Sequence, residues 1–279
     1  MDKNRQWVPT GVPSFDPAIK GGFPAGSFVL LLSEVGAGGS EFVYTSMLML
    51  AQMKKERVPL KPNFSLPNKI VYISFTKLRE NVIQSVSTLN VADIADFEEM
   101  LTFVDLSGDY FAKTRVPRQW TRTGTMTLDS YKAVPKNKTL YDSLIDTLET
   151  HAPGNLVIID SLTDLMRGQV GENFSWNDLV SLLKGIERVS KQWNVGIYAL
   201  LTAHIFEPSL EEEVSDCADG VLVFGWQSIG SNQRQRMMYI KKFRGLMPYL
   251  EEDNVVRFET RVSASQGFEV SNIREIIGR

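Results

Sequence analysis

Short, wholly apolar runs alternate with longer amphipathic stretches through the first two-thirds of the chain. FVLLL at 28–32, IVYISF at 70–75, LTFVDL at 101–106, LVIIDSL at 156–162 and VGIYALLT at 195–202 are continuous rather than alternating. Such runs read as strands buried on both faces. Between them, helical spacing predicts helices over 40–55, 78–89, 92–100 and 176–193. In the first, Phe42, Met47, Leu48 and Met53 recur near helical period; in the last, Leu179, Leu182, Leu183, Ile186 and Val189 share one side. Strands alternating with helices predict an α/β fold, a mostly parallel sheet flanked by helices. The pattern changes after residue 219: GVLVFGWQ (220–227), RMMYIKKF (236–243), VVRFETRV (255–262) and GFEVS (267–271) follow one another across short polar turns. They predict antiparallel hairpin strands added to the sheet edge. No internal repeat divides the chain, so residues 1–279 read as a single domain.

Composition narrows this only by exclusion. The 279 residues are 43% hydrophobic and 23% charged, with a net charge of −3, which excludes a chain too polar to fold and argues against a general polyanion binder. One cysteine, Cys217, and two distant histidines, His151 and His204, disfavour a disulfide framework and a Cys or His metal cluster. Cys217 reads as a packing residue and His204 as a histidine satisfied at a strand end. The acidic run 211–213 reads as the exposed face of a short helix. No apolar run is long enough to span a membrane, and MDKNRQWVPTG lacks the apolar core of a signal peptide, so the expected compartment is the cytoplasm. The segment 108–139 stands apart, with seven basic against two acidic residues and with Tyr110, Phe111, Trp120 and Tyr131. It reads as a basic insert: a solvated loop, or a docking segment for protein or single-stranded nucleic acid.

The candidate chemistry lies at 33–40, SEVGAGGS. A buried strand, a glycine-rich turn and a helix start are the parts of a phosphate-binding loop, G-x-x-x-x-G-K-[ST], whose backbone N–H groups cradle an anion. Gly38 and Ser40 fit that pattern. Ser33 stands where its first glycine belongs, and Gly39 where its lysine belongs. Without the lysine no full charge faces the β- and γ-phosphates, and Glu34 and Glu41 add negative charge beside the turn. The glycines admit three readings: an empty tight turn, an anion or nucleotide held by backbone N–H groups of Gly36, Ala37, Gly38, Gly39, Ser40 and Glu41, or competent hydrolysis. LVIID places Asp160 at the end of a later strand, where a carboxylate holds Mg²⁺ or its water, with Ser40 as second candidate ligand. A structural carboxylate at the strand end is the alternative.

TGVPSFDPAIKGGFPAGSFVLLL, VYISF, LVIIDSLTDL, ADGVLVF and KKFRG, in this order, resemble the KaiC-like branch of the RecA superfamily of P-loop ATPases over about residues 8–271. More narrowly, the chain is similar to the archaeal HTR-like (halobacterial transducer-like) proteins, which share a GAGG-type loop. The resemblance implies a RecA-like core that binds ATP with Mg²⁺ and packs into rings or filaments. It implies that Asp160 is the metal aspartate, that Thr202 occupies a γ-phosphate sensor position, and that Lys242 and Arg244 of the K-x-R-G strand reach the neighbouring subunit's nucleotide. It also implies one or two water-activating glutamates after the second core strand. Here that run is Ser74, Phe75, Thr76, Lys77, with no acid, and Glu80 lies one helical turn later.

Two independent departures, at Gly39 and at Thr76–Lys77, point to a non-hydrolysing regulatory or assembly module, a pseudo-ATPase that still admits a weakly bound nucleotide. Two alternatives stand beside it. One is an ATPase with a relocated cation, from Lys20, Lys77, or Lys242 of a neighbouring copy. The other is a recombinase-like single-strand binder using the insert.

Overall fold

The computed structural model describes residues 5–112, 114–121, 139–168, 175–229, 233–252 and 257–272. A two-stranded ribbon, β1 (Trp7–Val8) with β2 (Phe23–Pro24), precedes the main sheet. The core units follow: β3 (Phe28–Ser33), α1 (Gly39–Lys55), β4 (Ile70–Ser74), α2 (Arg79–Val86), α3 (Ile94–Met100), β5 (Leu101–Asp105), α4 (Ser107–Phe111), α5 (Leu140–His151), β6 (Leu156–Asp160), α6 (Leu162–Arg167), α7 (Trp176–Trp193), β7 (Gly196–Thr202) and α8 (Pro208–Cys217). The chain closes with β8 (Gly220–Ile229), β9 (Gln233–Phe243), α9 (Met247–Glu252), β10 (Arg257–Ser263) and β11 (Gly267–Asn272). Nine strands form one sheet in the order β11-β10-β9-β8-β3-β7-β6-β4-β5.

This is the expected α/β architecture, a mostly parallel sheet with antiparallel C-terminal strands. The antiparallel run starts one strand later than expected. β8 pairs parallel to β3, Val29 opposite Gly220, and only β9, β10 and β11 run antiparallel to their neighbours. Both faces of the parallel strands are buried. Val29 and Leu31 pack with α1 residues such as Phe42, Val43 and Met47, while Phe28 and Leu30 pack with α5 and α7 residues such as Leu144, Leu183 and Ile186. That two-sided burial is why these strands read as unbroken apolar runs.

Two readings of helical segments change. α5 is absent from the periodicity-based expectation, although Thr139 and Asp142 form a reciprocal capping box at its start and Leu140, Tyr141, Leu144 and Leu148 are buried. The acidic face of α8 is not wholly solvated: Glu211 is buried, and its Oε1 accepts the Phe206 N–H. Cys217 is buried, as a packing residue would be. In the basic insert, Trp120 is exposed, whereas Lys113, Arg122, Asp129, Tyr131, Lys132, Lys136 and Lys138 lie outside the described residues, as do Val255 and Val256 of the predicted third C-terminal strand.

The segment before β3 is folded by one carboxylate. Asp16 Oδ1 accepts the Thr10 N–H (2.8 Å) and hydroxyl (2.7 Å), and Oδ2 accepts the Gly11 N–H (3.2 Å). This closes the turn that drives Val12 and Phe15 into the core beneath α1. Burial pushes the Asp16 carboxyl up to about 6 despite those three donors. A folded-state value above the unfolded one means that stability is fully present below about pH 4 and is lost as pH rises through about 6, by on the order of 2–3 kcal/mol. Asp16→Asn keeps an acceptor and cannot titrate. Urea unfolding from pH 4 to 7 is expected to show the variant gaining on the parent by about that amount. A pH-independent difference would contradict the assignment.

Candidate functional site

The parallel strands β3, β4, β6 and β7 end at one edge of the sheet, where the ends of β3, β6 and β7 and Lys77 after β4 line a cavity of about 350 Å³. In open α/β sheets ligands bind at the carboxyl ends of the strands. The glycine-rich turn forms one wall. Gly36 (φ 73°) and Gly38 (φ 116°) adopt left-handed backbone there, conformations that L side chains rarely take. Ser33, Gly36, Gly38, Gly39, Ser40 and Glu41 all line the cavity, whereas Ala37 is fully buried behind the turn.

Side chains of the C-terminal strands grip the crest of the turn. Trp226 Nε1 donates to the Val35 carbonyl (3.2 Å) and Arg236 Nε to the Gly36 carbonyl (2.9 Å). The Arg236 guanidinium lies 4.7 Å from the centre of the Trp226 ring, within cation–π range. The Phe268 ring closes on Gly38, 2.9 Å from where a Cβ would stand.

The opposite wall carries the charge. Ser74 and Asp160 are directly paired across β4 and β6. The chain then folds back on itself: the Ser74 hydroxyl donates to the Lys77 carbonyl (2.8 Å) and accepts the Lys77 N–H (2.8 Å). That turn carries the Lys77 ammonium one strand over, onto Asp160 Oδ2 at 2.6 Å. The Tyr72 hydroxyl donates to the same oxygen, and Tyr44 hydrogen-bonds Tyr72. Burial pushes the Lys77 ammonium down, but the Asp160 charge and hydrogen bond outweigh it and hold its pKa above the ordinary lysine value. Burial, then the Asp160 charge, raise the Tyr72 phenol well above its usual range, so it stays a donor. Asp164 is raised by burial, and by Asp160 in turn. Among the described lining residues Lys77 is the one cation, against the carboxylates of Glu34, Glu41, Asp160 and Asp164.

Other sequence candidates fall elsewhere. Thr202 lines the cavity, and its N–H donates to Thr163 Oγ1 (2.8 Å). Glu80, in the first turn of α2, does not line it, and neither does Lys20. His204 is exposed, with Nε2 3.8 Å from Glu34 Oε1. Lys242 and Arg244 sit at the far end of the sheet, beside the start of β3 and about 17 Å from the turn by strand rise. Lys242 Nζ bonds the Asp216 carbonyl (2.9 Å) and Oδ1 (3.2 Å), and Arg244 bonds Glu187 Oε1 (3.0 Å) and lies 3.9 Å from Asp219. Trp226 and Arg236 were not found as site residues from sequence, and Lys77 and Asp160, each a candidate, were not joined as a pair, because these contacts depend on strand order rather than on local spacing.

A family model described as "ATPase: KaiC" matches residues 8–249. The chain belongs to this KaiC family. Among solved structures, the KaiC-like protein PH0186 from the hyperthermophilic archaeon Pyrococcus horikoshii OT3 superposes with a TM-score of 0.63 at 16% identity, covering 96% of this chain and 100% of that one; at that identity the likeness concerns the fold. No curated protein matches in sequence.

The KaiC resemblance implies ATP and Mg²⁺ at this cavity, and the residues present do not fit the ion. Oδ2 of Asp160, the carboxylate expected to face it, is already bonded to an ammonium and a phenol. Nor is there room for the pattern's lysine. A Cβ at Gly39 would stand 2.8 Å from Ser33 Cβ and 2.9 Å from its Oγ, contacts that must shift a strand residue. The serine at the pattern's first position and a side chain at its lysine position therefore compete for one space. Gly39→Lys alone is expected to destabilise by about 1–3 kcal/mol. Ser33→Gly in the same chain should relieve at least half of that, a coupling read from a double-mutant cycle of urea unfolding. Additive single effects would refute the steric coupling.

Proposed function

We propose that this KaiC-family chain is a pseudo-ATPase, a RecA-type scaffold with a degenerate Walker A loop that serves regulation or assembly rather than hydrolysis. One observation carries the reading: the position expected to activate water holds Lys77, and its ammonium is bonded to Asp160, the expected metal carboxylate. A base at that place has become an acid already committed to the metal's oxygen. Loss of the loop lysine removes a charge-assisted contact of about 1.5–3 kcal/mol, one to two powers of ten in affinity. The four lining carboxylates oppose a polyphosphate further. A nucleotide held here would depend on backbone N–H groups of the turn and would bind weakly.

The narrower reading is an HTR-like archaeal protein acting in signalling, as one domain, in the cytoplasm. Association into a ring or filament follows from the fold by analogy, with Lys242 and Arg244 exchanging their present partners for a neighbouring copy's. No helix among the described residues is long and apolar enough to cross a membrane.

A second reading, an ATPase with a relocated lysine, draws on the presence of Lys77 in the cavity. It requires that ammonium to leave Asp160 for a phosphate. Two measurements on the full chain decide between them. Phosphate release with millimolar Mg·ATP should be no faster than in Asp160→Ala. The stabilisation that millimolar Mg·ATP gives in thermal unfolding should stay well short of the roughly 2.7 kcal/mol given by a ligand at 100 times its dissociation constant. Turnover that Asp160→Ala abolishes would refute the pseudo-ATPase and favour the relocated lysine.

A further inference from the structure

We infer that Lys77 is a tethered replacement for the divalent cation, and that the cavity excludes Mg²⁺ and ions like it. The inference rests on the reading of this cavity as a non-hydrolysing site and adds its ion chemistry.

A divalent ion at a strand-end carboxylate needs that oxygen free, further oxygen donors and room for its waters. The first of these fails at Asp160 Oδ2. That oxygen takes the Lys77 ammonium and the Tyr72 hydroxyl together. The carboxylate is 6% exposed, against 39% for the lysine side chain, so the charge that must be balanced is buried while its partner reaches in from the rim. The pair is held from the backbone: the Ser74 turn fixes Lys77 at both its N–H and its carbonyl, and Ser74 is itself fully buried opposite Asp160. Lys77 therefore arrives with its geometry set. An ion that takes Oδ2 would have to displace it. Asp164 and Glu41 line the same cavity and leave oxygen donors there once Lys77 is removed. An ammonium delivers one charge where Mg²⁺ delivers two, and it cannot bridge to a second ligand by coordination. Any anion admitted would thus be bound without metal.

The test is Mn²⁺ alone, without nucleotide, titrated into the full chain and followed by electron paramagnetic resonance of the free ion. The parent and Asp160→Asn are expected to leave the same free Mn²⁺ up to 1 mM, on the order of free-ion levels at which weak carboxylate sites fill. Lys77→Met should gain one Asp160-dependent ion, bound at least tenfold more tightly than any ion on the parent, and Lys77→Met/Asp160→Asn should lose it. An ion on the parent that Asp160→Asn removes would overturn the inference. So would a folded Lys77→Met that gains no ion. If Lys77→Met does not fold, Lys77→Gln takes its place, and the comparison of parent with Asp160→Asn is decisive without either. Asp160-dependent Mn²⁺ on a parent that releases no phosphate would sink the inference and leave the pseudo-ATPase standing; the converse result would separate them the other way.

Discussion

One ion pair organises the cavity. The Asp160 carboxylate is buried at the end of a central strand, and a buried charge must be paired or neutralised. In a site built for Mg²⁺ that pairing would come from solution. Here the chain supplies it through Lys77, backed by Tyr72 and Tyr44. On the proposed reading the consequence runs outward: with Asp160 Oδ2 taken internally, neither a loop lysine nor a water-activating acid has a metal-bound phosphate to act upon. On that reading the departures at Gly39 and at Thr76–Lys77 belong to one change of purpose.

The frame that holds this pair is the two-sided sheet. Because β4 and β6 are hydrogen-bonded neighbours in register, Ser74 and Asp160 meet without any sequence proximity. Because β8 is parallel to β3 and β9 turns back beside it, Trp226 and Arg236 reach the turn after β3. Those two side chains occupy the Val35 and Gly36 carbonyls, and Phe268 presses on Gly38. The glycine-rich turn is thus shaped by protein contacts from the antiparallel strands. A loop with such support keeps its form without a phosphate to wrap around.

Much of the fold was legible because the strands are apolar on both faces and the helices are amphipathic at a clear period. The unbroken runs at Phe28, Ile70, Leu156 and Ile197 could belong to little else than a covered parallel sheet. α5 escaped because it directly follows a basic stretch without period, although Thr139 and Asp142 carried the start signal. Glu211 misled because an acidic triplet reads as solvated, while its place on α8 faces it toward the preceding loop. At the site, sequence located the turn, Asp160 and the substitutions at Ser33, Gly39 and Lys77. It could not join them. That Ser33 and Gly39 compete for one space, and that Lys77 lands on Asp160, follow from strand order and from a hydroxyl-closed turn that no local pattern announces.

A crystal structure of the full chain grown with millimolar Mg²⁺ and a non-hydrolysable ATP analogue tests the central claim most directly. The account predicts Lys77 Nζ within hydrogen-bond distance of Asp160 and no octahedral ion beside it, whether or not electron density for the analogue lies along the glycine-rich turn. Mg²⁺ joining Asp160 and Ser40 to the phosphates, with Lys77 swung away, would contradict it.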